Sequence, residues 1–164
     1  MKIYGVTGCK NTGKTGLIER LVKEFVIRGV TVSTIKHAHH DTDIDQPGRD
    51  SHRHREAGAH QVVLSTKNRW AVMTELRDAP EADLKSIIRS LEPVQLTLIE
   101  GYKNDPHPKI ETFRLAISKP LLALTNSSIK GIASDSPIPG LKIPIFDLND
   151  TGKIADFISE EVRL

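Results

Sequence analysis

The sequence is poor in cysteine and has no long apolar run. Its 164 residues include one cysteine, Cys9, which excludes an intrachain disulfide framework and fits a reducing compartment. No apolar run approaches the roughly 18 residues that a membrane helix needs. The apolar residues that follow Lys2 give way to glycine and polar residues too soon for the core of a signal peptide. We therefore expect a soluble, cytoplasmic protein with no membrane partner.

The chain also lacks a strong excess of charge of one sign. Its formal net charge is +2, and lysine and arginine are mixed with acidic residues along most of its length. A nucleic-acid-binding protein usually shows a concentrated basic face, so we expect no nucleic-acid partner. Internal repeats, low-complexity tracts and convincing linkers are absent from the sequence. The length and the ordinary composition indicate one globular domain over 1–164.

Short β-branched runs alternate with amphipathic segments. Strands are predicted at 2–7, 30–37, 94–100, 109–117, 121–125, 130–134 and 143–148, and helices at 14–29, 50–58, 79–91 and 150–162. This alternation predicts an α/β fold with a mostly parallel sheet and helices on both faces.

A β-hairpin is predicted at about 60–76, where two apolar runs flank the polar turn "KNR". Both runs carry enough apolar residues to suggest an insertion that packs against something, such as a second subunit. An antiparallel edge of the main sheet fits the same pattern.

The strongest chemical signal is "GCKNTGKT" at 8–15, between a predicted strand and a predicted helix. This is the spacing of a P-loop, in which Gly8 and Gly13 let consecutive backbone N–H groups point at phosphate oxygens. Lys14 would contact the β- and γ-phosphates, and the Thr15 hydroxyl would be a ligand of Mg²⁺. The predicted nucleotide-binding residues are Gly8, Cys9, Lys10, Asn11, Thr12, Gly13, Lys14 and Thr15.

A carboxylate at the end of a buried strand would complete the metal site. Glu100 ends the apolar strand 94–100, and Gly101 then frees the backbone to turn beside a ligand. Lys103, in the same segment, is a candidate contact to a phosphate or a second ligand. The guanine-specific pattern Asn-Lys-x-Asp is absent from the sequence. Asp135, after a late strand, would either read the base or cap a turn, so the motifs alone leave GTP and ATP both open.

Six of the seven histidines lie between residues 37 and 60, interleaved with aspartates. Strand 30–37 should neighbour the P-loop strand, so this segment should leave the sheet beside the phosphate site. Three interpretations compete: a transition-metal site, a solvated polar loop, and a loop that recognises an anionic second ligand. We favour the third, in which an aspartate also approaches Mg²⁺. The residues of this predicted second-ligand site are His37, His39, His40, Asp41, Asp43, Arg49 and Lys103.

Three separated motifs, "GCKNTGKT", "IKHAHHDTDIDQPGRDSHRHREAGA" and "LIEGYK", occur in this order and spacing. Together they closely resemble the molybdopterin-guanine dinucleotide biosynthesis adapter protein (MobB) family. The late "IASD" and "FDLND" are also similar, so the resemblance covers most of the chain. One departure is Gly16, at a position where threonine is frequent in the family.

The resemblance implies a P-loop NTPase-like α/β domain that dimerises through a β-hairpin extension. It implies a weak, Mg²⁺-dependent GTPase that binds GTP and assists the attachment of GMP to molybdopterin. The implied partners are molybdopterin or the molybdenum cofactor and the guanylyltransferase of the same pathway. Carried onto this sequence, Glu100 would be the second acid of the metal site, and Asp135 would read the base.

Two other functions fit the same motifs. A small-molecule P-loop kinase would use the histidine loop to bind its acceptor, but the stretch 104–112 has no arginine-rich lid. A GTP-regulated metallochaperone would use the same histidines to hold nickel or zinc.

Overall fold

The computed structural model describes residues 1–38 and 43–164, and the chain divides into two compact units. One unit contains residues 1–37 and 92–164, and the other spans 38–91. The predicted hairpin insertion lies within the second unit. The number of domains stays a prediction. His39, His40 and Asp41 of the predicted second-ligand site lie outside the described residues.

The elements follow one another in an α/β order. They are β1 (Lys2–Thr7), α1 (Lys14–Ile27), β2 (Val32–Lys36), α2 (Asp50–Glu56), β3 (Gln61–Ser65), β4 (Trp70–Thr74), α3 (Leu84–Ser90), β5 (Leu96–Glu100), β6 (Lys109–Phe113), β7 (Ile129–Ser134), β8 (Ile145–Asp147) and α4 (Thr151–Val162). Two short 3-10 helices, Leu115–Ile117 and Leu122–Leu124, lie between β6 and β7.

The first unit is built on a six-stranded sheet in the order β2-β5-β1-β6-β7-β8. Every neighbouring pair in this sheet is parallel. All six strands therefore end at the same edge, where ligands bind in open α/β sheets. The predicted mostly parallel α/β fold is confirmed.

Helices α1 and α4 contact each other and share one apolar core with the sheet. The core includes Tyr4, Val6, Leu17, Leu21, Phe25, Leu98, Ile110, Ile154 and Ile158, each fully buried. Burying a side chain of this size contributes about 1.5–3 kcal/mol, so the cluster fixes β1 and α1, the two elements that flank residues 8–13.

Among the described residues, no helix is long and apolar enough to cross a membrane.

The sheet face opposite α1 and α4 carries a buried carboxylate. Ile110 belongs to the apolar core, so Glu111, the next residue of β6, points to the other face. The Glu111 carboxylate accepts the backbone N–H groups of Leu122, at 2.9 Å, and of Ala123, at 2.8 Å. Burial raises the pKa of Glu111, and these two bonds oppose that rise.

The predicted strand at 121–125 is wrong, because this stretch forms the 3-10 helix whose amides bind Glu111. The predicted strand 109–117 ends early, at Phe113, where the chain turns into the first 3-10 helix. Helix α3 begins at Leu84, later than predicted, because the Asp83 side chain accepts the N–H of Ser86 at 2.7 Å and caps the helix there.

The second unit contains the predicted hairpin. Strands β3 and β4 pair antiparallel, with Val63 opposite Val72 and Ser65 opposite Trp70. They form a two-stranded sheet of their own. The alternative interpretation, an antiparallel edge of the main sheet, is therefore wrong.

Candidate functional site

Residues 8–15 join β1 to α1 through backbone conformations that glycine favours. The φ angles are 142° at Gly8, 67° at Asn11 and 98° at Gly13. A Cβ on Gly8 would lie 2.5 Å from the carbonyl oxygen of Thr112, so the loop has no room for a side chain at this position. Consecutive N–H groups in such turns form an anion-binding concavity, and the N-terminus of α1 adds its dipole.

A pair of threonine hydroxyls fixes the base of this loop to β6. Thr12 is buried, and its Oγ1 lies 2.9 Å from the carbonyl oxygen of Cys9 and 2.7 Å from Thr112 Oγ1. Thr112 Oγ1 lies 3.1 Å from the carbonyl oxygen of Thr7. The Thr12 side chain therefore holds the loop, which leaves its backbone N–H to meet an anion. Lys10 and Asn11 are exposed at the loop apex, and the Cys9 residue is half-buried.

Lys14 folds back over the same loop. Its Nζ donates a hydrogen bond to the carbonyl oxygen of Cys9 at 2.6 Å. Burial lowers the pKa of Lys14, while the negative charge of Glu100 acts in the opposite direction. Phosphate oxygens would give this ammonium group charge-assisted hydrogen bonds, which are stronger than the bond to a neutral carbonyl.

Thr15 and Glu100 meet although 85 positions separate them in the sequence. The Thr15 hydroxyl lies 3.0 Å and 3.2 Å from the two carboxylate oxygens of Glu100. Parallel pairing of β5 with β1 brings Glu100 beside Val6, next to the start of the loop. A hydroxyl and a carboxylate are the hard oxygen donors that Mg²⁺ prefers, so this pair fits the metal that the sequence predicted.

Two more lysines add positive charge around this pair. Lys36, at the end of β2, places its Nζ 3.4 Å from both Thr15 Oγ1 and Glu100 Oε1. The charges of Lys36 and Lys103 both lower the pKa of Lys14, so the three lysines are close enough to repel one another. Lys103 is exposed and lies in the loop that follows β5. The carboxyl edge of β1, β2 and β5 is therefore suited to a polyanion.

His37 stands directly beside this edge. Its ring stacks on Tyr102, with 4.6 Å between ring centroids and 23° between ring planes. Its backbone N–H donates to the carbonyl oxygen of Glu100 at 2.9 Å. Gly101 has a φ of 98°, and a Cβ there would lie 3.0 Å from the Cβ of His37. His37 is therefore the predicted second-ligand residue that the structure brings next to Glu100.

Asp135 follows β7, two strands away from β1. One of its carboxylate oxygens accepts the backbone N–H of Leu115 at 3.0 Å, which caps the first 3-10 helix. The other oxygen lies 3.9 Å from a guanidinium nitrogen of Arg114. The capping alternative for Asp135 is thus present in the structure, while its role toward a base stays a prediction.

Arg114 also lies against the loop 8–15, and the sequence pattern did not reveal this position. It follows β6 directly, and two of its guanidinium nitrogens lie 3.5 Å from where a Cβ would stand on Gly13. The available signal was the position of a basic residue just after a strand next to the P-loop strand. The sequence predicts a strand over 109–117, which puts Arg114 inside the strand, whereas β6 ends at Phe113 and Arg114 follows it.

In the second unit, Asp43 and Arg49 have local partners. Asp43 Oδ1 accepts a hydrogen bond from Arg55 at 2.8 Å, and this bond together with the N–H of Asp45 holds the pKa of Asp43 below its usual range. Arg55 also contacts Glu75 at 2.5 Å. Arg49 is exposed at the N-cap of α2 and donates to the Gln46 side chain at 3.3 Å.

The transition-metal interpretation of the histidine-rich segment needs several ligand side chains close together. Within residues 1–38 and 43–164, no group of three or more histidine, cysteine, aspartate or glutamate side chains is placed to hold a metal ion. The transition-metal alternative would use His37 together with His39, His40 and Asp41, and the last three lie outside this part of the chain, so the alternative stays untested.

Comparisons with known proteins agree with this arrangement. The family model of MobB, molybdopterin guanine dinucleotide synthesis protein B, matches residues 3–135. The chain is 38% identical over 152 residues to the molybdopterin-guanine dinucleotide biosynthesis adapter protein of Escherichia coli strain K12, covering 91% of this chain and 86% of that protein. The Haemophilus influenzae protein of the same name is 37% identical over 156 residues, covering 95% of this chain and 86% of the relative.

Solved structures give the same result at the level of the fold. The crystal structure of Bacillus subtilis MobB has a TM-score of 0.79 at 25% identity and covers 99% of this chain and 98% of its own. The MobB homologue from Bacillus stearothermophilus has a TM-score of 0.74 at 26% identity and covers 99% of both chains. The chain belongs to the family of molybdopterin guanine dinucleotide synthesis protein B, MobB.

Proposed function

We propose that this protein is a GTP-binding adapter that assists the attachment of GMP to molybdopterin in the cytoplasm. The observation that carries the proposal is the loop 8–15 with Lys14 folded over it and the Thr15–Glu100 pair beside it. This site stands in a chain whose curated relatives are named molybdopterin-guanine dinucleotide biosynthesis adapter proteins.

Each element of the site has a separate role in this proposal. The N–H groups of residues 8–15 bind the phosphates, and Lys14 leaves the Cys9 carbonyl to contact the β- and γ-phosphates. Thr15 and Glu100 would hold Mg²⁺, which would supply positive charge against those phosphates. Lys36, now 3.4 Å from Glu100, then moves from the carboxylate toward phosphate oxygens. Hydrolysis is slow and secondary to binding.

The loop after β2 serves a second, anionic ligand in this proposal. His37 lies at the carboxyl edge of the sheet and stacks on Tyr102. A molybdopterin-type ligand carries a phosphate, which histidine and lysine side chains bind well. His37 and Lys103 would contact this ligand, and the guanylyltransferase of the pathway would be the protein partner.

Calorimetric titration with GTP and with ATP, each with Mg²⁺, tests the nucleotide. We expect tighter binding of GTP, and equal affinities would defeat the assignment. Lys14→Ala should lower triphosphate affinity at least about ten-fold, because it removes charge-assisted hydrogen bonds. Lys23→Ala, which alters an exposed lysine on α1, is the matched control. Reconstitution with purified guanylyltransferase and molybdenum cofactor, scored for dinucleotide formation, tests the adapter role.

We propose that the hairpin forms the contact between two copies of the chain. Val63 and Val72 pair across β3 and β4 on one face, next to Trp70, and all three side chains are exposed within residues 38–91. An apolar patch of this kind marks an interaction surface. Light scattering should report a dimer that Val63→Glu converts to a monomer. Lys67→Glu, in the polar turn, should leave the dimer intact, and a wild-type monomer at all concentrations would refute the contact.

A further inference from the structure

The connection between β5 and β6 crosses the face of β1 that lies opposite α1. It consists of residues 101–108, and β1 stands between the two strands that it joins. Tyr4 and Val6 belong to the core shared with α1, so Gly5 points to the other face of the sheet. A Cβ on Gly5 would lie 2.6 Å from His107 Nε2. We call residues 101–108 the strap, because they lie across β1.

The amino end of the strap carries two residues of the candidate site. Tyr102, which stacks on His37, has a φ of 43°. This left-handed conformation costs a residue other than glycine about 1–3 kcal/mol, and it persists only where other contacts hold it. Lys103 is exposed at the next position. Burial lowers the pKa of Lys14, and the charge of Lys103 lowers it further, so Lys103 stands near the ammonium group that is expected to bind phosphates.

Lys109, the first residue of β6, holds one end of this strained turn. Its side chain is fully buried, and its Nζ donates to the carbonyl oxygen of Asp105 and, at 2.9 Å, to Ser128 Oγ. The N–H of Asp105 donates to the carbonyl oxygen of Tyr102 at 3.1 Å, which closes the turn. Burial lowers the pKa of Lys109, and the charge of Asp105 opposes that shift. Moving the strap away would leave part of a buried ammonium group unpaired, which is costly.

Asn126 holds the middle of the same turn. Its Nδ2 donates to the carbonyl oxygen of Lys103 at 2.7 Å. Its Oδ1 accepts the backbone N–H of Ser128 at 3.0 Å and the Ser128 hydroxyl at 2.6 Å. Because Ser128 Oγ also accepts from Lys109, the two side chains that hold the turn belong to one hydrogen-bonded network.

The carboxyl end of the strap is fixed separately, by packing and by the backbone. His107 is buried against Gly5, and neither of its ring nitrogens has a hydrogen-bond partner within the described part of the chain. The N–H of Gly5 donates to the carbonyl oxygen of Pro108 at 2.9 Å. This end would therefore keep its place if the bonds from Lys109 and Asn126 were lost, whereas the turn would not.

We propose that Lys109 and Asn126 are positioning residues that keep the charge of Lys103 beside the anion bound at Lys14, an inference that rests on the proposed binding of GTP. In this role neither residue contacts the ligand. They fix the backbone from which the Lys103 side chain extends. A charge that is held close attracts an anion more strongly than one that moves away, because the Coulomb energy falls with distance.

Two competing roles predict different results. If the network only stabilises the fold, loosening the strap changes the free energy of unfolding and leaves the affinity for the anion unchanged. If Lys109 acts through the field of its own charge, its loss weakens binding even where Lys103 is absent. In the positioning role, the loss of affinity disappears once Lys103 has been removed, because the effect passes through that side chain.

The test combines hydrogen exchange with calorimetric titration of GTP and Mg²⁺ on the full chain. Lys109→Met and the charge-neutral Asn126→Ala should each speed exchange of the Asp105 amide about five-fold or more. Lys103→Ala should lower GTP affinity roughly three-fold or more, and Lys109→Met and Asn126→Ala roughly two-fold or more each. Neither should lower the affinity further when combined with Lys103→Ala. Lys142→Met, which removes an exposed lysine before β8 at the opposite edge of the sheet, is the matched control.

The outcomes separate this inference from the proposed function. If the wild-type chain binds no GTP, the proposed function fails and the positioning role fails with it. If the wild type binds GTP and exchange at Asp105 is unchanged in both Lys109→Met and Asn126→Ala, the inference is overturned and GTP binding stands. Faster exchange with unchanged affinity, or an equal loss with and without Lys103, also overturns it. Thermal melts establish that the variants are folded, and Asn126→Ala decides alone if Lys109→Met does not fold.

Discussion

Replacing Gly8 with alanine should disrupt the loop 8–15, because the new side chain would collide with its neighbours. The new Cβ would lie 2.5 Å from the Thr112 carbonyl oxygen, 2.6 Å from Thr112 Oγ1 and 2.8 Å from Thr12 Oγ1. Both neighbours belong to the hydrogen-bonded base of the loop, so neither can move without breaking a buried contact. The strained φ of 142° costs about 1–3 kcal/mol, and the overlap costs about as much again. We expect a total of about 2–6 kcal/mol.

Urea unfolding of Gly8→Ala measures the loss of stability, and GTP titration of the same variant measures the loss of nucleotide binding. Gly140→Ala is the matched control, since Gly140 has a φ of 83° but no atom within 4 Å of a built Cβ. Strain without collision should cost about 1 kcal/mol there, partly offset by the lower entropy of the unfolded chain. If Gly8→Ala unfolds within 1 kcal/mol of the control and still binds GTP, the collision argument is wrong.

Three further predictions test other parts of the chain. Burial, aided by the charge of Lys109, lowers the pKa of His107 to about 4, from 6.5 when unfolded. The unfolded state therefore takes up the proton first as the pH falls, and the free energy of unfolding should decrease from about pH 6.5 to about pH 4. His107→Leu should flatten this part of the pH profile. An unchanged slope would contradict a buried, neutral His107. Glu100→Gln should weaken Mg²⁺-dependent GTP binding about ten-fold or more while binding in EDTA is unchanged, and an equal loss in EDTA would remove Glu100 from the metal site. Arg55→Ala should lower the melting temperature more than Arg53→Ala, whose ion pair is 3.9 Å long and exposed; equal melting temperatures would show that the Arg55 network contributes nothing.

The loop 8–15 and the strand and helix that frame it could be predicted because their signals are local. Two glycines, a lysine and a threonine at fixed spacing lie between an apolar strand and a helix whose Leu17, Leu21 and Phe25 recur at helical spacing. The meeting of Thr15 and Glu100 also followed from the sequence, because parallel strands place their carboxyl ends at one edge. A long-range contact of this kind is predictable when the sheet topology is.

The segment between β6 and β7 could not be predicted in the same way. The stretch "LLALT" has the composition of a strand, yet it forms a 3-10 helix. Its N–H groups at Leu122 and Ala123 satisfy Glu111, which would otherwise be a buried, unpaired carboxylate. A tertiary requirement of one side chain thus overrode local preference, and no periodicity in the sequence carries that information.

Asp43 of the predicted second-ligand site and Glu100 of the predicted metal site differ in what their present partners leave for a metal ion. Asp43 is held by Arg55 at 2.8 Å, and the same guanidinium reaches Asp45 at 3.5 Å and Glu75 at 2.5 Å. To approach Mg²⁺, Asp43 would have to give up a charge-assisted hydrogen bond, which opposes that part of the interpretation. Glu100 differs from Asp43 because binding Mg²⁺ would not leave its partners unpaired. The Thr15 hydroxyl could bind the same Mg²⁺, and the Lys36 ammonium group could pair with phosphates. Of these two acids, Glu100 is therefore the one whose contacts fit the predicted metal site.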